Sequence, residues 1–199
     1  MQILISPEKY QEHLWGDGIT EDVSDEIKRD VADIGEAEVK EKNIGPGADL
    51  FVYFLVFWGL KELFLLGDTL EKNIDAWIKI GKRLQGWRKN KELVSVDIDG
   101  ARCLAVSKIN EYLVINKLRE VQSNYLRLSD FTRPGMFGDG RKYGDLIAEP
   151  HGYYTLTYEV NTDYTIVVGV TSKGEATIVK CFDTFAIYSL RERELNKRL

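Results

Sequence analysis

The chain has 199 residues, 44% of them apolar, and a net charge of −5. That length fits one ordinary domain or two small ones, and that apolar fraction is too high for disorder. The acidic balance argues against general nucleic-acid binding, which favours a basic domain, and no nucleic-acid partner is expected. Two cysteines, Cys103 and Cys181, do not make a disulfide scaffold, so a reducing compartment fits. The opening MQILISPEKYQEHLW lacks the basic-then-apolar pattern of a secretory leader, and the expected location is cytoplasmic.

Gln2 to Ser6 reads as an opening strand, and Ser6-Pro7 as the cap and first position of a short helix. From Glu21 to Asp33 the apolar residues Val23, Ile27, Val31 and Ile34 fall at helical spacing on an otherwise acidic surface. Glu36 to Ile44 is expected to be an edge strand pairing with the first.

The densest apolar stretch is Leu50 to Leu66, LFVYFLVFWGLKELFLL. Gly45-Pro46-Gly47 breaks the chain before it and Gly67-Asp68 after it. The expectation is a central apolar helix over about 48–66, walled by other elements. Its uncharged run, between Asp49 and Lys61, is too short for the roughly 20 residues of a membrane span. If one face stays uncovered, it marks a protein partner, a twin subunit or a membrane surface. A second helix over about 69–89 places Leu70, Ile74, Trp77, Ile78, Gly81 and Leu84 on one face. The two are expected to pack as an antiparallel hairpin.

Charge is split along the chain. Met1 to Asp49 carries 13 acidic and five basic residues, whereas Lys72 to Lys91 carries seven basic residues against Asp75 alone. Such faces attract each other within the fold or form a docking surface for an acidic partner.

Leu93 to Ile98 alternates as a strand, closed by Asp99-Gly100, and Ala101 to Leu113 is helical. Val114 to Leu128 fits a strand or a continuing helix. Phe131 to Pro150 is glycine-rich with two of the four prolines, and reads as a long connection. Tyr153–Val160, Tyr164–Val170 and Glu175–Phe182 are β-branched and aromatic runs joined by short turns, which is an antiparallel meander. Arg191 to Leu199 is a charged terminal helix or tail.

The expected fold class is therefore α+β. Its first part, about 1–130, has strands and a helical hairpin; its second, about 131–199, has the loop, the three-stranded meander and a terminal helix. A single continuous domain is the alternative.

Candidate chemistry is sparse. His13, His151, Cys103 and Cys181 have no metal-ligand spacing, and both cysteines lie inside expected elements as small buried hydrophobes. There is no nucleophile elbow or P-loop. Gly135 to Gly144, with Arg141 and Lys142, is a weak phosphate-cradle candidate, and Asp139 and Asp145 a weak metal-binding pair. No catalytic, cofactor-binding or metal-ligating set is assigned, and no cofactor is expected. The interface candidates are Phe51, Phe54, Phe57 and Trp58 of the apolar stretch, Lys79, Lys82 and Arg83 of the basic helix, and Tyr143 and Tyr153.

GPGAD ahead of the apolar stretch, then NIDAWIKIGKRL, then VDIDGARCLAVSKI, resembles the effector-associated constant components of bacterial conflict systems. The resemblance covers Met1 to Leu113 and lies in element order. It implies an adaptor beside peptidase-type or other effectors, with no catalytic residue to carry over. The aromatic run Phe51 to Trp58 departs from the alanine- and glycine-rich helix expected of that family. The leading expectation is a non-enzymatic interaction or regulatory component, with a protein partner or self-association. A membrane-associated component using 50–66 is the first alternative. A small metal-dependent hydrolase or nuclease, using His151 with Asp139 or Asp145, is the second.

Overall fold

Among the described residues, two four-stranded antiparallel sheets and three helices make up an α+β fold. The computed structural model describes residues 1–6, 21–43, 51–57, 74–127 and 152–184. The elements run β1 (Gln2–Ile5), α1 (Glu21–Val31), β2 (Ala37–Asn43), β3 (Phe51–Phe57), α2 (Ile74–Lys89), β4 (Leu93–Val96), α3 (Ile98–Tyr112), β5 (Leu118–Arg127), β6 (Gly152–Val160), β7 (Tyr164–Thr171) and β8 (Ala176–Asp183).

The first sheet has the order β2-β3-β1-β4. It corrects the central expectation from the sequence. Phe51–Phe57 is a strand, not the first half of an apolar helix, so no helical hairpin forms around it. It pairs with β1 through Ile3↔Leu55 and Ile5↔Tyr53, and with β2 from Ala37↔Phe57 to Asn43↔Phe51. Along β1 and β3 buried residues lie on both faces of the sheet. Tyr53, Leu55 and Phe57 lie in the main core, while Leu4 and Val56 are buried at the alternate positions. A strand covered on both sides reads as an unbroken apolar run, as a buried helix does, and periodicity cannot separate the two. Aromatic and β-branched composition favours the strand. β2 is an edge strand as expected, but its neighbour is β3 rather than β1.

The second sheet has the order β5-β6-β7-β8. The meander β6–β8 forms as the sequence predicts, and the ambiguous segment after α3 joins it as β5. Buried residues alternate strictly along β6: Tyr154, Leu156, Tyr158 and Val160 face the core. The β6–β7 turn places Asn161 and Thr162 at positive φ, 53° and 64°, and Asp163 N–H donates to Val160 C=O. That geometry matches the twist of the flanking strands.

The central helix is α3. Gly100, Ala101, Cys103, Leu104, Ala105, Val106, Ser107 and Ile109 are all buried. Asp97 is its N-cap and accepts a hydrogen bond from Gly100 N–H at 2.9 Å. Asp99 and Gly100 therefore open the helix rather than close the preceding strand. Small residues let α2 approach closely: a Cβ at Gly81 would stand 2.3 Å from the Cys103 carbonyl oxygen. α1 buries Val23, Ile27 and Val31 at the expected spacing, and α2 buries Ile74, Trp77, Ile80, Gly81, Leu84 and Trp87.

One hydrophobic cluster runs through both sheets and all three helices. The sheets are also tied directly. Val96 N–H donates to Ser172 C=O at 2.8 Å, and Tyr154 O–H donates to Val96 C=O at 3.0 Å. The short helix expected after Ser6, residues 58–73, the connection 131–150 and the terminal segment 191–199 lie outside the described residues.

Candidate functional site

The densest group of charges joins the start of α3 to β5. The Arg102 guanidinium forks onto Glu120, donating from Nε to Oε2 and from a terminal nitrogen to Oε1, both at 2.9 Å. Its other terminal nitrogen donates to Asp99 at 2.9 Å. Asp99 also faces the Met1 amino group at 3.6 Å. The hydrogen bonds it donates to Glu120 and Asp99 hold Arg102 firmly charged. The Tyr158 hydroxyl lies 3.5 Å from Glu120, and burial followed by that carboxylate's charge pushes its pKa well up. Asp97 sits beside this group, with Oδ2 accepting from Gln2 N–H at 2.6 Å. Burial outweighs its two amide donors and pushes its carboxyl up to about 6.

A perturbed cluster is a functional candidate only if something can reach it. Here every strong contact is satisfied internally: Asp97 ties β1 to α3, and Arg102 ties α3 to β5. Cys103 is fully buried and burial raises its thiol pKa far above the ordinary range, which disables it as a nucleophile. The cluster is a joint of the fold. Among the described residues no three His, Cys, Asp or Glu side chains gather as a metal site.

A groove of about 380 Å³ lies between α1 and α2, lined by Ile27, Asp30, Lys82, Arg83, Trp87 and Glu92 among others. Arg83 donates to Asp30 C=O at 3.0 Å and stands over the Trp87 ring at 5.3 Å. Acidic and basic groups alternate around it, so it presents no single sign of charge. Acidic α1 and basic α2 border this groove, and Arg83 reaches across it to a backbone carbonyl of α1.

The sheet edges differ more sharply. β2 carries Glu38, Lys40, Glu41 and Lys42, the charged pattern that keeps a strand edge from pairing. The β4 edge is bonded at Val96 by Ser172. β8 bears Lys180 inside its exposed run, and like β5 it carries a register shift, here opposite Val167 and Val168. β5 is different. After Arg119, which pairs with Glu159 at 2.7 Å, and Glu120, held by Arg102, the run Val121–Leu126 (VQSNYL) has no charge. All six of its residues are exposed, Val121 by 56% and Leu126 by 47%. A register shift falls at Val121, and from Gln122 to Arg127 pairing with β6 is regular.

The outer face of this sheet is a grid set by register. Leu126, Tyr153 and Thr171 share a row; Asn124, Thr155, Gly169 and Thr177 share the next. Tyr153, an expected interface residue, is half-buried, and a Cβ at Gly169 would meet its hydroxyl. The aromatic ring takes the space the glycine leaves.

The other interface candidates scatter. Phe57 is a core residue. Phe51 and Phe54 occupy β3 positions opposite Asn43 and opposite Leu4 and Lys40. Lys79, Lys82 and Arg83 are exposed on α2. Trp58 and Tyr143 lie outside the described residues, as do His13, His151, Asp139, Asp145, Arg141 and Lys142. The membrane alternative loses the first half of its helix to β3, and no helix among the described residues is long and apolar enough to cross a membrane. β5 was within reach of the sequence: an uncharged six-residue run with alternation, next to a strand-rich third. Its position at an edge was not, because that depends on pairing order. Comparison with family models, with curated proteins and with solved structures finds no match.

Proposed function

We propose that the protein is a non-enzymatic interaction component that receives its partner by strand addition along the side of β5 that faces away from β6. The observation that carries this reading is the uncharged, exposed run Val121–Leu126 on a strand that is at the sheet edge among the described residues. Such an edge in water is a template for pairing, and natural sheets blunt it with charge, proline or cover. This chain blunts β2 with charge along its length and leaves the Val121–Leu126 run of β5 without it. In strand addition the main chain supplies affinity and alternate side chains supply selectivity; here Gln122, Asn124 and Leu126 are those side chains on one face. A regulatory place in a bacterial conflict system is the narrower form of the proposal, and its support is the N-terminal resemblance alone.

The test is affinity capture of the full chain from its native cells, comparing wild type with Gln122→Lys/Asn124→Lys. Both positions are exposed, so folding should be retained, and circular dichroism checks it. A stoichiometric partner lost in the variant supports the reading. A partner retained at wild-type levels by the folded variant overturns it.

A further inference from the structure

We infer that the strand received by β5 is β5 of a second copy, paired antiparallel about a two-fold axis at Asn124, so that two four-stranded sheets become one of eight. This rests on the strand-addition reading and names its partner.

The register follows from geometry. In an antiparallel pair, directly opposed residues share a face. A two-fold axis normal to the sheet therefore pairs positions whose numbers sum to an even value, and a symmetric contact must be self-complementary. With Asn124 on the axis, Asn124 meets its own copy, Ser123 meets Tyr125, Gln122 meets Leu126, and Val121 meets Arg127. Regular pairing with β6 covers Gln122 to Arg127, so the three inner pairs of this register lie on regular strand and only the Val121–Arg127 pair reaches the bulge.

Three features fit a second copy. No like charge opposes another, because Val121–Leu126 is uncharged and Arg127 falls against Val121. The group on the axis is a carboxamide, donor and acceptor at once, so two copies can exchange both hydrogen bonds. Small Ser123 opposes large Tyr125, and exposed Leu126 gains the stem of Gln122. The neighbouring charges do not interfere, because Arg119 is held by Glu159 and Glu120 by Arg102.

The experiment is sedimentation velocity on the full chain across a wide concentration range. It is joined by oxidative trapping of Asn124→Cys in a Cys181→Ser background, with Thr177→Cys on the β8 edge as control. The expected result is a concentration-dependent dimer that Asn124→Lys abolishes, since it sets two ammonium groups face to face at the axis. The Asn124→Cys variant should form an intermolecular disulfide and the Thr177→Cys variant should not. A chain monomeric at every concentration overturns the proposal, and so does a dimer that folded Asn124→Lys leaves intact. If the monomer nonetheless loses a captured heterologous partner on Gln122→Lys/Asn124→Lys substitution, strand addition stands and the second copy falls. If that partner is retained as well, both fall.

Discussion

Gly81 and Gly86 offer the same substitution, in the same helix, with opposite expected outcomes. Replacing a helical glycine by alanine removes backbone freedom from the unfolded chain and stabilises the helix by about 1 kcal/mol. At Gly86 nothing lies within 4 Å of the new Cβ, so Gly86→Ala should gain that amount. At Gly81 the new Cβ would meet the Cys103 carbonyl oxygen at 2.3 Å, its carbonyl carbon at 2.9 Å and the Ser107 Cβ at 2.6 Å. Two of those atoms are backbone and cannot swing aside. α2 and α3 would have to part by about 1 Å to restore ordinary contact distances. Overpacking of this kind costs about 1–3 kcal/mol. The propensity gain is common to both variants, so the difference between them isolates the packing cost. Urea unfolding followed by tryptophan fluorescence reads it directly, because Trp77 and Trp87 lie on the same helix. Gly86→Ala should unfold at higher urea than wild type and Gly81→Ala at lower. Equal midpoints would refute the close approach of α2 to α3.

Asp97 gives a pH test. Its carboxyl is raised by burial to about 6, above the unfolded value near 3.8, so the native state binds the extra proton between those values. Its contribution is therefore fully favourable below about pH 4 and lost as pH rises through 6, a change of about 3 kcal/mol. The stability of wild type minus Asp97→Asn should fall by about that much from pH 4 to 7; a flat or rising difference counts against the burial argument. Arg102→Ala leaves Glu120 and Asp99 without their partner and should cost about 2–4 kcal/mol, the range of a broken, mostly buried pair. Arg102→Lys keeps the charge, loses the fork and should recover only part of it; full recovery would mean that the fork is irrelevant. Alkylation followed by mass spectrometry should modify native Cys181, which is partly exposed, and spare Cys103 until the chain unfolds. Rapid native modification of Cys103 would contradict its place in the core.

Local signals in the sequence describe the second half well and mislead in the first. The meander strands and their turns are written in residues 152–183 because β-branched and aromatic runs end at short turns, and on β6 each face has one environment, so alternation survives. Val23, Ile27 and Val31 mark α1 for the same reason. Phe51–Phe57 fails because a strand buried on both faces loses its alternation, and a density of large apolar residues marks a central helix equally well. The residue that occupies the centre of a fold is not always large. α3 is central through Ala101, Cys103, Ala105 and Ser107, and two of these small residues, Cys103 and Ser107, are what α2 meets at Gly81. A run such as ARCLAVS scores modestly on hydropathy, yet it fits a close helix–helix contact. The edge status of β5 and the Arg102–Glu120 fork were out of reach for another reason. Both join residues whose proximity is set by topology, not by spacing along the chain.

That fork bears on whether β5 can serve as a template. An edge strand that must order itself on binding loses conformational entropy, and association is correspondingly weak. β5 is held at several points. Glu120 is fastened to α3 through Arg102. The approach to the strand is fixed by Asn161, whose side chain accepts from Asn116 and Lys117 N–H and donates to Val114 C=O. Further along, Tyr125 stacks on Tyr154 with ring centroids 4.8 Å apart. These restraints bracket Val121–Asn124, where charge is absent and every residue is exposed. Arg119 and Glu120 are thus engaged in anchoring β5, and the uncharged residues after them are left outward. A surface built only for solubility would distribute them the other way, with Arg119 and Glu120 facing water unpaired. Rigid backing and an uncharged outer run together favour pre-organised pairing at this edge.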